Sequence, residues 1–126
     1  MSIEHKILDK HIIQIIDSYG SAPVSEISEC LKRSSAVAAD FEDLRRGEIW
    51  GSRPAPVFNL IRSSDIGPLI RRRLKTMEKT GALVLIREGW SMSGRRVLNW
   101  RLGPSAMDYY RVVSSAHFIP RNASRS

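Results

Sequence analysis

The chain has 126 residues, of which 42% are hydrophobic and 26% charged, with a formal net charge of +7 and a pI near 10.2. Those figures fit one domain with a core of its own and exclude wholesale disorder. No apolar run approaches the roughly 18 residues that cross a bilayer, the opening Met-Ser-Ile-Glu-His-Lys is charged and helical rather than leader-like, and a lone Cys30 excludes an internal disulfide. The expectation is a cytoplasmic protein with no membrane partner.

Taken in order, Ile3, Ile7, Leu8, Ile12, Ile15, Ile16 and Tyr19 recur at helical spacing and predict a helix over 3–19 with one buried stripe, stopped by Gly20. Pro23 opens a short second helix over 24–32, with Val24, Ile27, Cys30 and Leu31 on one face. On that face Cys30 reads as an inert buried thiol. Val37, Phe41 and Leu44 mark a third helix over 34–46, ended by Gly47, and the Gly- and Pro-containing stretch 48–55 reads as a connection. Val57–Ile61 is apolar and fits neither helix nor strand uniquely. A fourth helix begins near Ser64-Asp65, holds Gly67-Pro68 in its first turn and runs to Thr80 before Gly81. Residues 82–87 and 95–102 read as strands around a loop at 88–94, with Leu98, Trp100 and Leu102 facing the core. A last helix over 105–116 aligns Met107, Tyr110 and Val113, and 118–126 reads as a flexible basic tail. The fold class is mainly α with a small β-hairpin, an α+β protein.

Charge is unevenly placed. Between Arg62 and Arg101 there are ten Lys/Arg and three acids, a local excess equal to the net charge of the whole chain. Such a concentration points to a polyphosphate partner. On a wheel of 66–80, Ile66, Leu69, Ile70, Leu74 and Met77 gather on one side, and Arg71, Arg72, Lys75 and Lys79 on the other. One face can dock on the domain while the other offers cations to guanine edges and phosphates, with Ser64 at the start of the helix as a further donor. Arg73 falls on the flank, where it would snorkel or pair with an acid of a neighbouring helix. A solvated basic face has the same pattern; the basic hairpin that follows favours nucleic acid. In that hairpin Arg87, Arg95 and Arg96 stand at the bases, and Ser91 and Ser93 can donate to phosphate. Trp90 can stack on a sugar or base, or lie back on the hairpin as packing.

The run Leu69-Ile70-Arg71-Arg72-Arg73-Leu74-Lys75-Thr76-Met77-Glu78-Lys79-Thr80-Gly81-Ala82-Leu83-Val84 resembles the third helix and first wing strand of the winged helix-turn-helix family. Ser93-Gly94-Arg95-Arg96-Val97-Leu98-Asn99-Trp100-Arg101-Leu102 is similar to that family's wing and return strand. The resemblance covers about 70 residues and implies a single winged-helix domain over 1–117, with 3–19 and 24–32 as the first two helices. It further implies duplex DNA as partner, the 66–80 helix in the major groove, the 87–96 wing on the backbone, a homodimer, and transcriptional regulation in a prokaryote or mobile element. The sequence departs from the pattern where about 30 residues separate the second helix from the recognition helix. Either 33–63 is an insertion, or 24–50 is itself a helix-turn-helix. Because Glu42 and Asp43 on the outward face of 34–46 would repel phosphate, that helix reads as structural or as a protein-partner surface together with the connector, over 34–56.

Enzyme chemistry finds little support. His5, His11 and His117 are dispersed, the first two on a surface pattern, and Asp40, Glu42 and Asp43 read as a solvated helix face. No phosphate loop or nucleophile motif is present, and no cofactor is expected. The rival readings are a replication or recombination accessory, an RNA-binding winged helix, or a protein interaction module without nucleic-acid function.

Overall fold

The computed structural model describes residues 3–46, 56–63, 66–90 and 96–122. In chain order these form α1 (Ile3–Tyr19), β1 (Ser21–Ala22), α2 (Val24–Arg33), α3 (Ser35–Arg46), α4 (Pro56–Ser63), α5 (Gly67–Lys79), β2 (Leu83–Trp90), β3 (Arg96–Leu102) and α6 (Ala106–Asn122). The strands make one antiparallel sheet in the order β1-β3-β2. The architecture is α+β, mainly helical.

The core is built around α1, which packs against α2, α3, α6 and the sheet. Ile7, Leu8, Ile12, Ile13 and Ile16 are all buried, and so are the polar Glu4, Asp9, Lys10 and His11 between them. A single buried stripe was the expectation for α1; a helix enclosed by neighbours on several sides buries polar residues too, and these must then find partners. The stripe also stops short of Tyr19, which is 56% exposed. Gly20 ends the helix with φ +79°, a conformation that favours glycine, and the chain turns directly into β1.

That two-residue strand escapes sequence reading because it is too short to show alternation. Ala22 pairs with Trp100 and Ser21 with Arg101, so β3 has a neighbour on each side. Across the other edge Leu83 pairs with Leu102 and Leu85 with Trp100, placing Leu83, Leu85, Trp100 and Leu102 on the inner face. Leu98, expected to join them, is 46% exposed. β2 continues through Glu88 and Gly89 to Trp90, which pairs with Arg96 across a register shift, so the strand runs three residues past its expected end at 87.

In the segment between α2 and α5, Ser34 caps α3 by accepting a hydrogen bond from the Val37 N–H at 3.2 Å. The stretch that fitted neither helix nor strand is α4, with Val57 and Ile61 buried. The Val57 N–H donates to the Glu4 carboxylate at 2.8 Å, as an acid at a helix N-terminus should accept. α6 runs past the expected end at 116 as far as Asn122. Among its described side chains Ala106 and Val113 are buried, with Tyr109 and Tyr110 partly buried; Met107, expected inside, is 64% exposed. A stripe of 106, 109 or 110, and 113 keeps helical spacing equally well, so periodicity alone could not choose between the two faces.

Candidate nucleic-acid interface

α5 owes its two faces to helical geometry. Leu69, Ile70, Leu74 and Met77 are buried, while Arg71, Arg72, Lys75, Thr76 and Lys79 are exposed and line one shallow depression. Pro68 sits in the first turn, where no intrahelical partner is needed for its nitrogen. The helix ends in a Schellman arrangement: the Ala82 N–H donates to the Met77 carbonyl at 2.9 Å and the Gly81 N–H to the Glu78 carbonyl at 3.0 Å. Gly81 has φ +83°. The turn is pinned from outside by Gly103, whose N–H donates to the Ala82 carbonyl at 2.8 Å. A Cβ at position 103 would lie 2.3 Å from the Gly81 carbonyl oxygen, so only glycine fits there. The end of α5, the start of β2 and the entry to α6 are thereby locked together.

Among the described residues, Arg71, Arg72 and Lys79 have no acidic partner, and Lys75 reaches only Glu78 of its own helix, at 3.9 Å. An exposed pair of that length contributes little and does not neutralise the face. Thr76 turns its hydroxyl back to the Arg72 carbonyl at 3.0 Å. Four long cations therefore share one surface, and among the described residues nothing of opposite sign is set against three of them.

No family model, curated protein or solved structure matches this chain.

Arg73 behaves differently from its neighbours. Its Nε donates to Asp9 Oδ1 at 3.0 Å and its Nη2 to Asp9 Oδ2 at 2.7 Å, a two-point pairing with a carboxylate that is fully buried. Tyr109 of α6 donates its hydroxyl to the same Oδ2 at 2.6 Å. The hydrogen bond to Asp9 raises the Arg73 pKa above its ordinary value, and burial, then Asp9, raises that of Tyr109. The expected partnership with an acid of a neighbouring helix is what the structure holds, and it joins α5, α1 and α6 at one point.

A second polar cluster corrects two sequence expectations. His11 is buried rather than on a surface face, and its Nε2 lies 2.6 Å from Asp40 Oδ2. Lys10 Nζ donates to the same oxygen at 2.6 Å. Asp40 of α3 thus points at α1 instead of standing on a solvated acidic face. Burial lowers the His11 pKa, against the opposing pull of Asp40. Burial acts to raise the Asp40 pKa, and the hydrogen bonds from Lys10 and His11 outweigh it and hold the carboxyl below its ordinary value. Cys30, expected in the core, is half-buried, with its Sγ 3.5 Å from the Tyr19 hydroxyl.

Of the expected wing residues, Arg87 is exposed on β2. Trp90 and Arg96 are placed by their backbones, opposite one another in the β2–β3 ladder. Ser64, Ser91, Ser93 and Arg95 lie outside the described residues. Among the described residues no group of three or more His, Cys, Asp or Glu could hold a metal, and no helix is long and apolar enough to cross a membrane. Sequence reading passed over Arg62, counted only for its charge; the signal was a phenylalanine one helical turn before it, in a segment that could not be typed.

Proposed function

We propose that this chain is a winged-helix protein that binds duplex DNA, with α5 in the major groove and the β2–β3 hairpin as a wing on the flanking backbone, and that it acts as a small transcriptional regulator. The observation that carries the reading is the face of α5: Arg71, Arg72, Lys75 and Lys79 are exposed together on a helix whose other side is wholly buried. Solvation alone would not call for so rigid a platform of like charge, and each cation left without an acid is available to phosphate or to a guanine edge.

Three features of the fold support it. α2 packs against α5, the arrangement of a helix-turn-helix pair, although α3 and α4 lie between them in sequence. α3 packs instead against α1, which favours reading 33–63 as an insertion over reading 24–50 as the recognition unit. The strand pair leaves α5 through a locked turn, so hairpin and helix are presented as one body. A homodimer fits the reading, since a single module contacts few base pairs.

The test is the salt dependence of binding to duplex DNA, followed by fluorescence anisotropy. With four cations on α5 and more from the wing, log Kd should change linearly with log salt, with a slope of about 0.9 per phosphate contact and at least four contacts in all. A flat response, or equal binding by a neutral polymer, would refute the reading.

A further inference from the structure

The segment between α2 and α5 does more than hold α3 in place. Its last turn carries Arg62, exposed at the end of α4. The guanidinium lies over the Phe58 ring, 5.6 Å from its centroid. Phe58 in turn stacks on Phe41 of α3, with centroids 5.5 Å apart and ring planes 12° from parallel. Phe41 is 1% exposed and belongs to the core. A column of three planar groups therefore rises from the protein interior and ends in a cation at the surface. Among the described residues, Arg62 has no acid partner.

Two buried side chains fix where that cation stands. Ile61, next to Arg62, is 2% exposed, and Ile66, at the entry to α5, is 1% exposed. The Ile66 carbonyl accepts the Ile70 N–H at 2.9 Å. Ser63 and Gly67 are four peptide links apart, so the end of α4 lies within about 14 Å of the first turn of α5. When a recognition helix docks, its N-terminal residues meet base edges while its partner helix, here α2, crosses the sugar-phosphate backbone, and α4 packs on α2. The duplex carries a charge for about every 1.7 Å of its axis, so a cation within about 14 Å of the first turn of α5 has phosphates in reach.

We propose that Arg62 is a phosphate-binding residue on the same duplex, making the inserted segment part of the interface. This rests on the α5 reading above. Stacking on Phe58 occupies one face of the guanidinium and leaves its N–H edge free for two-point contact with a phosphate. Holding the side chain in place beforehand also removes part of the ordering cost of binding. The alternative is a solvated arginine at a helix C-terminus, where its charge suits the helix dipole and nothing else.

The experiment titrates a fluorescein-labelled duplex of mixed sequence with wild-type protein, Arg62→Ala, Arg62→Lys and Arg71→Ala across a salt series, with thermal melting of each variant. Arg62→Ala should melt like wild type, bind about three- to tenfold more weakly and show a salt slope lower by about one unit. Arg62→Lys should keep the wild-type slope, since the charge remains, and lose only part of the affinity. If Arg62→Ala binds with wild-type affinity and slope while Arg71→Ala is weakened, the role of Arg62 is overturned and the α5 reading stands. If wild-type protein shows no salt-dependent binding, both are overturned.

Discussion

Arg72 and Arg73 are adjacent in sequence and stand on different faces of α5. Arg72 lies in solvent with Arg71, Lys75 and Lys79, and no acid among the described residues meets it. Arg73 is held on two points by a fully buried aspartate, with a tyrosine hydroxyl on the same oxygen. One step of about 100° separates a cation available to a partner from one engaged by the fold itself. Counting charge along a chain treats the two alike. A buried, two-point pair contributes to internal order, and its removal leaves a charge with no compensation; an exposed cation contributes little to stability and keeps its full charge for a ligand.

The comparison can be broken most directly at Arg73. Replacing it with alanine strands the Asp9 carboxylate and should lower stability by about 3–5 kcal/mol in chemical denaturation; a change below about 1 kcal/mol would show that Asp9 is not held as described. On the other face, Arg71→Ala with Lys75→Ala should weaken duplex binding by about 1–3 kcal/mol per residue with the melting temperature unchanged. Parallel loss of melting temperature and binding would erase the distinction between the faces. Tyr109→Phe keeps the ring and removes one hydrogen bond to a charged group, for a loss of about 1.5–3 kcal/mol, and should leave the salt slope of binding as it is. The smallest change is expected for Arg72→Ala, whose stability should stay within about 0.5 kcal/mol of wild type.

Acid should act on the buried side only. His11 has a folded-state pKa below the ordinary 6.5, so the unfolded chain binds the proton more readily. Its contribution to stability is then fully present above 6.5 and is lost as pH falls below that value. His5 shifts in the same direction, through burial and the nearby Arg73. Asp40 has a lowered pKa, so its contribution is present above its ordinary 3.8 and disappears below it. Melting temperature should therefore fall in two stages as pH is lowered from 7 to 3, and His11→Gln should flatten the first. A melting temperature that rises between pH 7 and 5 would contradict the burial of a neutral His11.

Much of this was legible in the sequence where a pattern was long enough to repeat. α1, α2 and α3 follow their apolar spacing to within a residue or two, α5 begins two or three residues later than expected, and Gly20 and Gly81 stop their helices where expected. The division of α5 into an apolar and a cationic face was legible from the wheel, and so was the place of Arg73 on the flank; that it pairs with Asp9 rather than snorkelling was not. β1 was not, because two residues show no period and its partner stands at the far end of the chain. α4 was not, because eight residues with a single polar turn read equally as strand. Asp40 and His11 were misread because each sits on a pattern that looks amphipathic alone. Only the packing of α3 on α1 turns them toward one another.

The Asp9 carboxylate meets Arg73, 64 positions later, and Tyr109, 100 positions later. On a ribosome those partners emerge long after Asp9 itself. At about 5–20 residues per second the wait for Tyr109 is on the order of 5–20 s. Through that interval α1 is a sticky, half-finished scaffold, its isoleucines uncovered and its aspartate still wet. Folding of this chain is accordingly expected to be largely post-translational, completed in one late cooperative step when α6 arrives. A polypeptide stalled before residue 109 would be a target for chaperones, whatever its α5 could already do.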